Sequence, residues 1–510
     1  MTARPPELVV DRDVVDQLAI ALGTVGLTLG AAATPPTELR RTWLDTFDWR
    51  LHRAGWELEQ VELDGTNTFA LHGSGDHDRH ELGTVPGCRV EWPAPPAALP
   101  DSAVRAQVAA AAGIRALIRT AGFEGVRRTW PVLDDEHKTV ARLHIDTPAG
   151  ASALPARITV SPVRGYEREA GEAARALATL DGVTAAPTSC YDECLEASGR
   201  ARGGSRPVAT VTAWTPAPVA VAGVLRGFLE TVEANVPGVV ADIDTEFLHD
   251  LRVAVRRARS TVKLAGDAVP APHGHLATEL KWLGDATTPT RDLDVYLLGV
   301  PAMAERLRAA RPAELGAFRD HLAARRAEKF GRLVSDLRSA RFTALVHCWR
   351  EVTVVDPDTV PPVPTTAEFG ADALRRAHRR VVRLGSTITS SSPAEQLHML
   401  RKRCKDLRYL LEIFEPIEPS ATRRRVLPVL KALQDCLGEF QDGEVQAAAI
   451  RTFASEMMSA GTAGPATLLA MGELAAQLDG DQHHARATFA DVFAAFTKAT
   501  RKLHWGGGDR

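Results

Sequence analysis

The chain has 510 residues, 45% of them hydrophobic and 25% charged, which suits a globular protein of two or three domains with sizeable cores. With 61 Lys and Arg against 64 Asp and Glu the formal charge is −3, which excludes a uniformly basic coat protein but not a local basic site. Residues 1–204 hold 21 basic against 28 acidic groups (−7), and residues 205–510 hold 40 against 36 (+4).

No apolar run reaches the roughly 18 residues of a membrane span. The opening stretch MTARPPELVVDRDVVDQL carries charges where a signal peptide needs an apolar centre, so a cytoplasmic protein is expected. Six scattered cysteines, with Cys190 and Cys194 in a C-x3-C and no second pair, read as reduced thiols rather than a disulfide framework or a zinc site. Residues 1–195 read as mixed α and β. The runs RVEW (89–92), VARLHID (140–146) and ARITVSP (156–162) predict strands, and the Ala-rich stretches 103–120 and 167–180 predict helices. Residues 196–222, rich in Gly, Pro and Ser, predict a linker. From 223 to 505 apolar residues recur at helical spacing, so an all-α region follows an α+β one. The four prolines within 356–370 predict a loop dividing the helical region into halves of about 223–355 and 368–505, and the tail WGGGDR is expected to fray.

The halves repeat. HDLRVAVRRARSTVKL (249–264) aligns with HMLRKRCKDLRYLLEI (398–413), ELKWLGDATTPTRDLDV (279–295) with VLKALQDCLGEFQDGEV (429–445), and VLRGF (224–228) with ALRRA (373–377). All three matches share an offset of 149 or 150, which argues for an internal duplication. Lys281 thereby matches Lys431, Asp285 matches Asp435, Asp292 matches Asp442 and Asp294 matches Glu444.

At 100° per residue, His249, Arg252, Arg256, Arg259 and Lys263 fall in an arc of about 80°. That arc borders the apolar stripe of Leu248, Leu251, Val255, Ala258 and Val262. His398, Arg401, Lys405 and Arg408 form the second strip beside Leu397, Leu400, Cys404, Leu407 and Leu411, with Glu412 standing where the first copy has Lys263. The bland alternative is a solvated face laced with salt bridges. Like charges at these spacings repel, however, acidic partners nearby in sequence are few, and the strip occurs twice. Guanidinium forks and ammonium point charges suit a linear polyanion. Arg375, Arg376, Arg379, Arg380 and Arg383 (within 374–383) could extend the track. The strips lack interleaved aromatics apart from Tyr409, whose plain reading is packing, so a base-free polyanion fits better than nucleic acid. Each leading histidine reads either as a local hydrogen-bonding residue or as a phosphate donor. Asp292 and Asp442 could orient the basic groups. His273/His275 and His483/His484 read as surface residues rather than metal ligands. No nucleophile–base set, Gly-rich phosphate loop or HExxH is present.

The segments LHDLRVAVRRARS (248–260), ELKWLGDATTPTRDLDV, LHMLRKRCKDLRYLLEIFEP (397–416) and LKALQDCLGEFQD (430–442) resemble the CHAD domain (conserved histidine α-helical domain) over roughly 220–505. The resemblance implies two four-helix bundles related by a pseudo-twofold axis. It also implies binding of inorganic polyphosphate in a basic central groove, association with polyphosphate granules, and no catalysis. The residues expected at that site are His249, Arg252, Arg256, Arg257, Arg259, Lys263, Lys281, Arg375, Arg379, Arg383, His398, Arg401, Lys402, Lys405, Arg408 and Lys431.

The N-terminal part is similar, more loosely, to the CYTH domain, the triphosphate-tunnel fold, through RRTWLDTFDWRLHRAGWELE (40–59). It departs from that family at the metal-binding Glu-x-Glu-x-Lys strand, where PELVVDRD offers Glu7. It departs again where arginines should hold triphosphate, since Glu57, Glu59 and Glu62 stand there; His72 replaces a lysine and Thr159 a carboxylate. A degenerate, non-catalytic CYTH-like β-barrel is expected, with no metal, no cofactor and an unknown protein partner. The alternatives are a metal-dependent tripolyphosphatase or polyphosphatase, and a nucleic-acid- or nucleotide-binding module.

Overall fold

A computed structural model describes residues 7–10, 14–32, 35–73, 81–150, 154–203, 212–270, 273–356, 363–415, 420–501, 503 and 505. The middle of the expected linker, part of the expected loop at 356–370, most of the tail and half of the stretch PELVVDRD around Glu7 lie outside these residues. The chain divides into two compact units, Met1–Arg206 and Pro207–Arg510.

Among the described residues the first unit has one antiparallel sheet of ten strands: β1 Glu7–Val10, β2 Thr28–Leu29, β3 Thr37–Thr46, β4 Trp56–Leu63, β5 Thr66–Gly73, β6 Glu81–Gly87, β7 Leu117–Leu133, β8 Thr139–Pro148, β9 Ala156–Pro162 and β10 Val183–Ala185. The order is β10-β1-β9-β8-β7-β3-β4-β5-β6, with β2 on β7. Among the described residues five α-helices accompany it: α1 Val15–Gly23, α2 Arg50–Arg53, α3 Ala103–Ala112, α4 Glu167–Leu177 and α5 Cys190–Ala197. Alternation along the strands gives the sheet two apolar faces. Helix α5, capped by Ser189, packs Cys190, Tyr191, Cys194 and Leu195 on Leu39, Trp43, Ala121 and Phe123. Helix α3 buries Val104 and Val108 against Leu44, Leu58 and Phe69.

Two sequence expectations fail here. RVEW (89–92) is irregular, since Pro93, Pro95 and Pro96 follow directly and cannot donate to a ladder. The helix expected over 103–120 ends at Ala112. Gly113 adopts φ 61° and turns the chain into β7, which already includes residues 117–120.

The second unit is helical: α6 Ala217–Val240, α7 Thr245–Ala265, α8 His273–Arg306, α9 Gly316–Leu337, α10 Ala340–Val352, α11 Thr366–Gly385, α12 Ala394–Ile413, α13 Ser420–Ser459 and α14 Pro465–Thr500. Helix α6 starts inside the expected linker and α11 inside the expected loop. The order repeats, α6 to α8 followed by α9 and α10, then α11 to α13 followed by α14. Where α14 runs unbroken, its counterpart stops at Leu337 and restarts as α10 under a Ser339 cap.

The cores show how the halves join. Residues of α11, α12, the start of α13 and the end of α14 form one cluster, including Leu400, Leu407, Leu430 and Phe496. A second cluster is shared: Leu293 and Tyr296 of α8 and Phe318 and Leu322 of α9 pack with Ile450 and Met457 of α13 and Met471 and Leu474 of α14. The long α8 and α13 thus each run from their own half into a common four-helix core, a feature the two-bundle expectation did not contain.

Candidate functional site

Helix α7 starts where the Asp244 carboxylate accepts from the Glu246 and Phe247 amides, at 2.9 and 3.3 Å, and it ends at Gly266 with φ 51°. Leu248, Leu251, Val255, Ala258 and Val262 are buried, which sets the adjoining basic strip at the edge of the core. In α12 the buried Leu397, Leu400, Cys404, Leu407 and Leu411 do the same for the second strip.

The two helices cross antiparallel and touch through three polar contacts. Arg256 Nε donates to Tyr409 Oη at 2.8 Å. Arg257 Nη2 lies 2.9 Å from Glu412 Oε2, and Lys263 Nζ lies 3.5 Å from Asp406 Oδ2. At the offset of 149, Arg257 corresponds to Asp406 and Lys263 to Glu412. The two ion pairs are therefore mates under the pseudo-twofold, as at a self-complementary contact. The first copy supplies both cations and the second both anions. This accounts for Glu412 standing where the first copy has Lys263, and it engages Arg257 and Lys263 in holding the halves together.

The arginines at the centre of the strips are oriented by the next helix in each half. Arg252 Nη1 donates to Thr288 Oγ1 at 2.8 Å, Thr287 Oγ1 at 3.0 Å and the Gly284 carbonyl at 3.3 Å. Its mate Arg401 donates to Gln441 Oε1 at 2.8 Å and lies 3.5 Å from Asp442. Arg259 passes over Gly284, where a Cβ would come within 3.0 Å of its Nη1. Its mate Arg408 reaches Glu412 at 2.9 Å and Gln434, the counterpart of Gly284, at 3.5 Å. Burial, Asp292 and Asp442 together push the Tyr296 phenol up to about 12, which sets both repeated carboxylates beside one residue.

The strips form one electrostatic field. Burial, then Arg401, Arg256 and Lys402, hold Lys405 down at about 8 against the pull of Asp442. Arg256 comes from α7 and the other basic groups from α12. His249 is half-buried, and burial, Arg291 and Arg256 lower its pKa below the usual imidazole range. His398 is also half-buried, and Lys402 is exposed. Sequence reasoning missed Arg291, which donates to the Thr245 carbonyl at 3.0 Å and lies 3.7 Å from Glu246. It lay within a repeated segment, where its counterpart is Gln441.

Other expected residues lie apart. Lys281 and Lys431 are exposed mates, each closing an i,i+4 pair, with Asp285 at 2.7 Å and Asp435 at 2.6 Å. Arg375, Arg379 and Arg383 are exposed on α11. Arg375 pairs with Asp372 and Arg379 donates to the Arg375 carbonyl. Among the described residues no hydrogen bond or ion pair joins these three to α7 or α12.

In the sheet unit, the carboxylates expected to repel a triphosphate each meet an arginine. Glu59 pairs with the buried Arg41, Glu57 with Arg202 at 2.9 Å, and Glu62 with Arg40 at 3.4 Å. Glu7 pairs with Arg157, which also lies 2.7 Å from Glu193. Arg202 stacks on Tyr191 of α5, 4.2 Å from the ring centre. Among the described residues no three His, Cys, Asp or Glu side chains gather as metal ligands could.

Comparison with known proteins places the CHAD domain family over residues 223–451. The CHAD domain from the plant Ricinus communis is 25% identical, covering 59% of this chain and 96% of its own, with a TM-score of 0.49. PptA from Streptomyces chartreusis is 20% identical, covering 55% of this chain and 99% of its own, with a TM-score of 0.44. A candidate adenylate cyclase from Bacillus halodurans is 14% identical, covering 37% of this chain and 94% of its own, with a TM-score of 0.26. No curated protein matches the chain.

Proposed function

We propose, taking the CHAD domain over residues 223–451 as the premise, that this protein binds inorganic polyphosphate in the basic cluster between α7 and α12. The observation that carries this reading is the convergence of Arg256, Arg401 and Lys402 on the half-buried ammonium of Lys405. Helix stability opposes such a gathering of like charge, and a chain of phosphates offsets it. Arg252, Arg256, Arg259, Arg401, Lys402 and Lys405 are the direct contacts, with His249, His398 and Arg291 at the margins. Lys281, Lys431, Arg375, Arg379, Arg383 and Arg408 would meet a longer chain. Tyr409 is buried and engaged by Arg256, so it presents no stacking face to a base, which favours polyphosphate over nucleic acid.

The sheet unit acts in this reading as a non-catalytic scaffold. What supports this is that, among the described residues, the buried Arg41 and Arg157 and the half-buried Arg202 are each paired with a carboxylate. Polyphosphate binding would in turn bring the protein to polyphosphate granules. No described helix is long and apolar enough to cross a membrane.

The test is binding of long-chain polyphosphate to the full chain, beside a variant with Arg252→Ala, Arg256→Ala, Arg401→Ala and Lys405→Ala. The proposal expects tight binding that the variant loses while its circular dichroism is kept. Binding that survives in the folded variant, or none in the parent, refutes it. RNA competing equally at matched phosphate would move the assignment to nucleic acid, and phosphate release from tripolyphosphate would restore the enzyme reading.

A further inference from the structure

The duplicated strips are alike in charge but not in chemistry. At the offset of 149, the counterpart of Lys405 is Arg256. A guanidinium keeps its proton under all ordinary conditions, whereas an ammonium surrenders one when buried among like charges. The position is therefore fixed in charge in the first copy and titratable in the second.

The surroundings of Lys405 favour surrender. On its own helix Lys402 stands three residues before it and Arg401 four. From α7 Arg256 faces it, held at Tyr409 one turn further along α12. From α13 Asp442 is the carboxylate acting on it, and Asp442 also lies 3.5 Å from Arg401. Among the described residues no ion pair or hydrogen bond fixes the Lys405 ammonium. A half-buried cation facing three others has one carboxylate, Asp442, which Arg401 shares, and a bound polyanion adds the counter-charge that is short.

We propose that Lys405 takes up a proton from solvent when the polyanion binds, so that this one residue makes the affinity of the site fall in alkaline conditions. The inference rests on the binding reading above. Lys405 is about 8 in the free protein, and phosphate oxygens beside it raise that value. Well below pH 8 both states are protonated, so affinity near pH 7 is level. Above it the free protein loses the proton that the complex keeps, and affinity falls by up to about tenfold per pH unit. His249 is held below the ordinary imidazole value of roughly 6.5, so it lies below this window, and the end groups of a long polyphosphate titrate alike against parent and variants.

The experiment is calorimetric titration of the full chain with long-chain polyphosphate at fixed ionic strength. It runs from pH 7 to pH 9.5 in buffers of differing ionisation heat. The expected result is a dissociation constant level near pH 7, rising about twofold by pH 8 and roughly ten- to thirtyfold by pH 9.5. Proton uptake should approach one per site over the same interval. Lys405→Arg, and Lys405→Gln as a second variant, should each show a dissociation constant flat across the series, whatever its level at pH 7. A flat parent overturns the inference, as does a parent-like pH dependence in both variants. Absence of binding at pH 7 is a different result, and it removes the binding reading itself.

Discussion

His144, half-buried in the sheet unit, is held neutral at pH 7, and the consequence can be measured. His144, on β8, lies with its Nδ1 2.9 Å from Thr129 Oγ1. Burial first, then Arg127 and Arg142, hold it down at about 4 against Asp146. The unfolded chain protonates this residue near pH 6.5 and the folded one only near pH 4. The stabilisation is thus complete above pH 6.5 and is lost as pH falls toward 4. The interval corresponds to about 3 kcal/mol at most. The sheet unit should unfold at progressively lower denaturant concentration over that range. His144→Asn should flatten this acid limb even if it lowers stability at pH 7. An unchanged limb in the variant would assign the acid sensitivity to the paired carboxylates instead.

Among the helices, the contact between α7 and α12 permits a test by exchange of charge. Glu412→Lys restores the residue type of the first copy, but it brings a cation against Arg257 and Arg408. The side chains of Arg257 and Glu412 are 38% and 29% exposed, so solvent screens the pair and the loss should be only about 1 kcal/mol. Adding Arg257→Glu should recover part of it in a double-mutant cycle of denaturant unfolding. No coupling would mean that this ion pair adds nothing, leaving the Arg256–Tyr409 and Lys263–Asp406 contacts and the shared core of α8, α9, α13 and α14 to hold the halves. This contact also shows where sequence reading stops. The basic strips and the duplication were legible because each is a local pattern repeated at one offset. The role of Glu412 was not legible, because its partner lies more than 150 residues away on a helix whose direction of crossing no periodicity encodes. Strand β9 was legible to the residue through its alternation. The Ala-rich run into β7 misled, because alanine suits both a helix and a closely packed strand until Gly113 decides.

At the scale of the whole chain, a net charge of −3 makes long-range attraction of a polyanion weak. Any affinity must arise within about a Debye length of the cluster, roughly 8 Å at physiological salt. The salt dependence then counts contacts rather than overall charge. If Arg252, Arg256, Arg259, Arg401, Lys402 and Lys405 each displace one counterion, a flexible polyanion should give a slope of log K against log salt near −4, at about 0.7 per contact. The variant lacking Arg252, Arg256, Arg401 and Lys405 should lose roughly three of those four units. Measuring both at a constant pH of about 6.5 to 7 keeps Lys405 charged, so the slope is not mixed with proton uptake. A variant that binds weakly yet keeps the parent slope would show that the deleted groups shape the site while other cations carry the phosphates. The α11 arginines Arg375, Arg379 and Arg383 would be the first of these to replace, since they are exposed and stand clear of the contact between the halves.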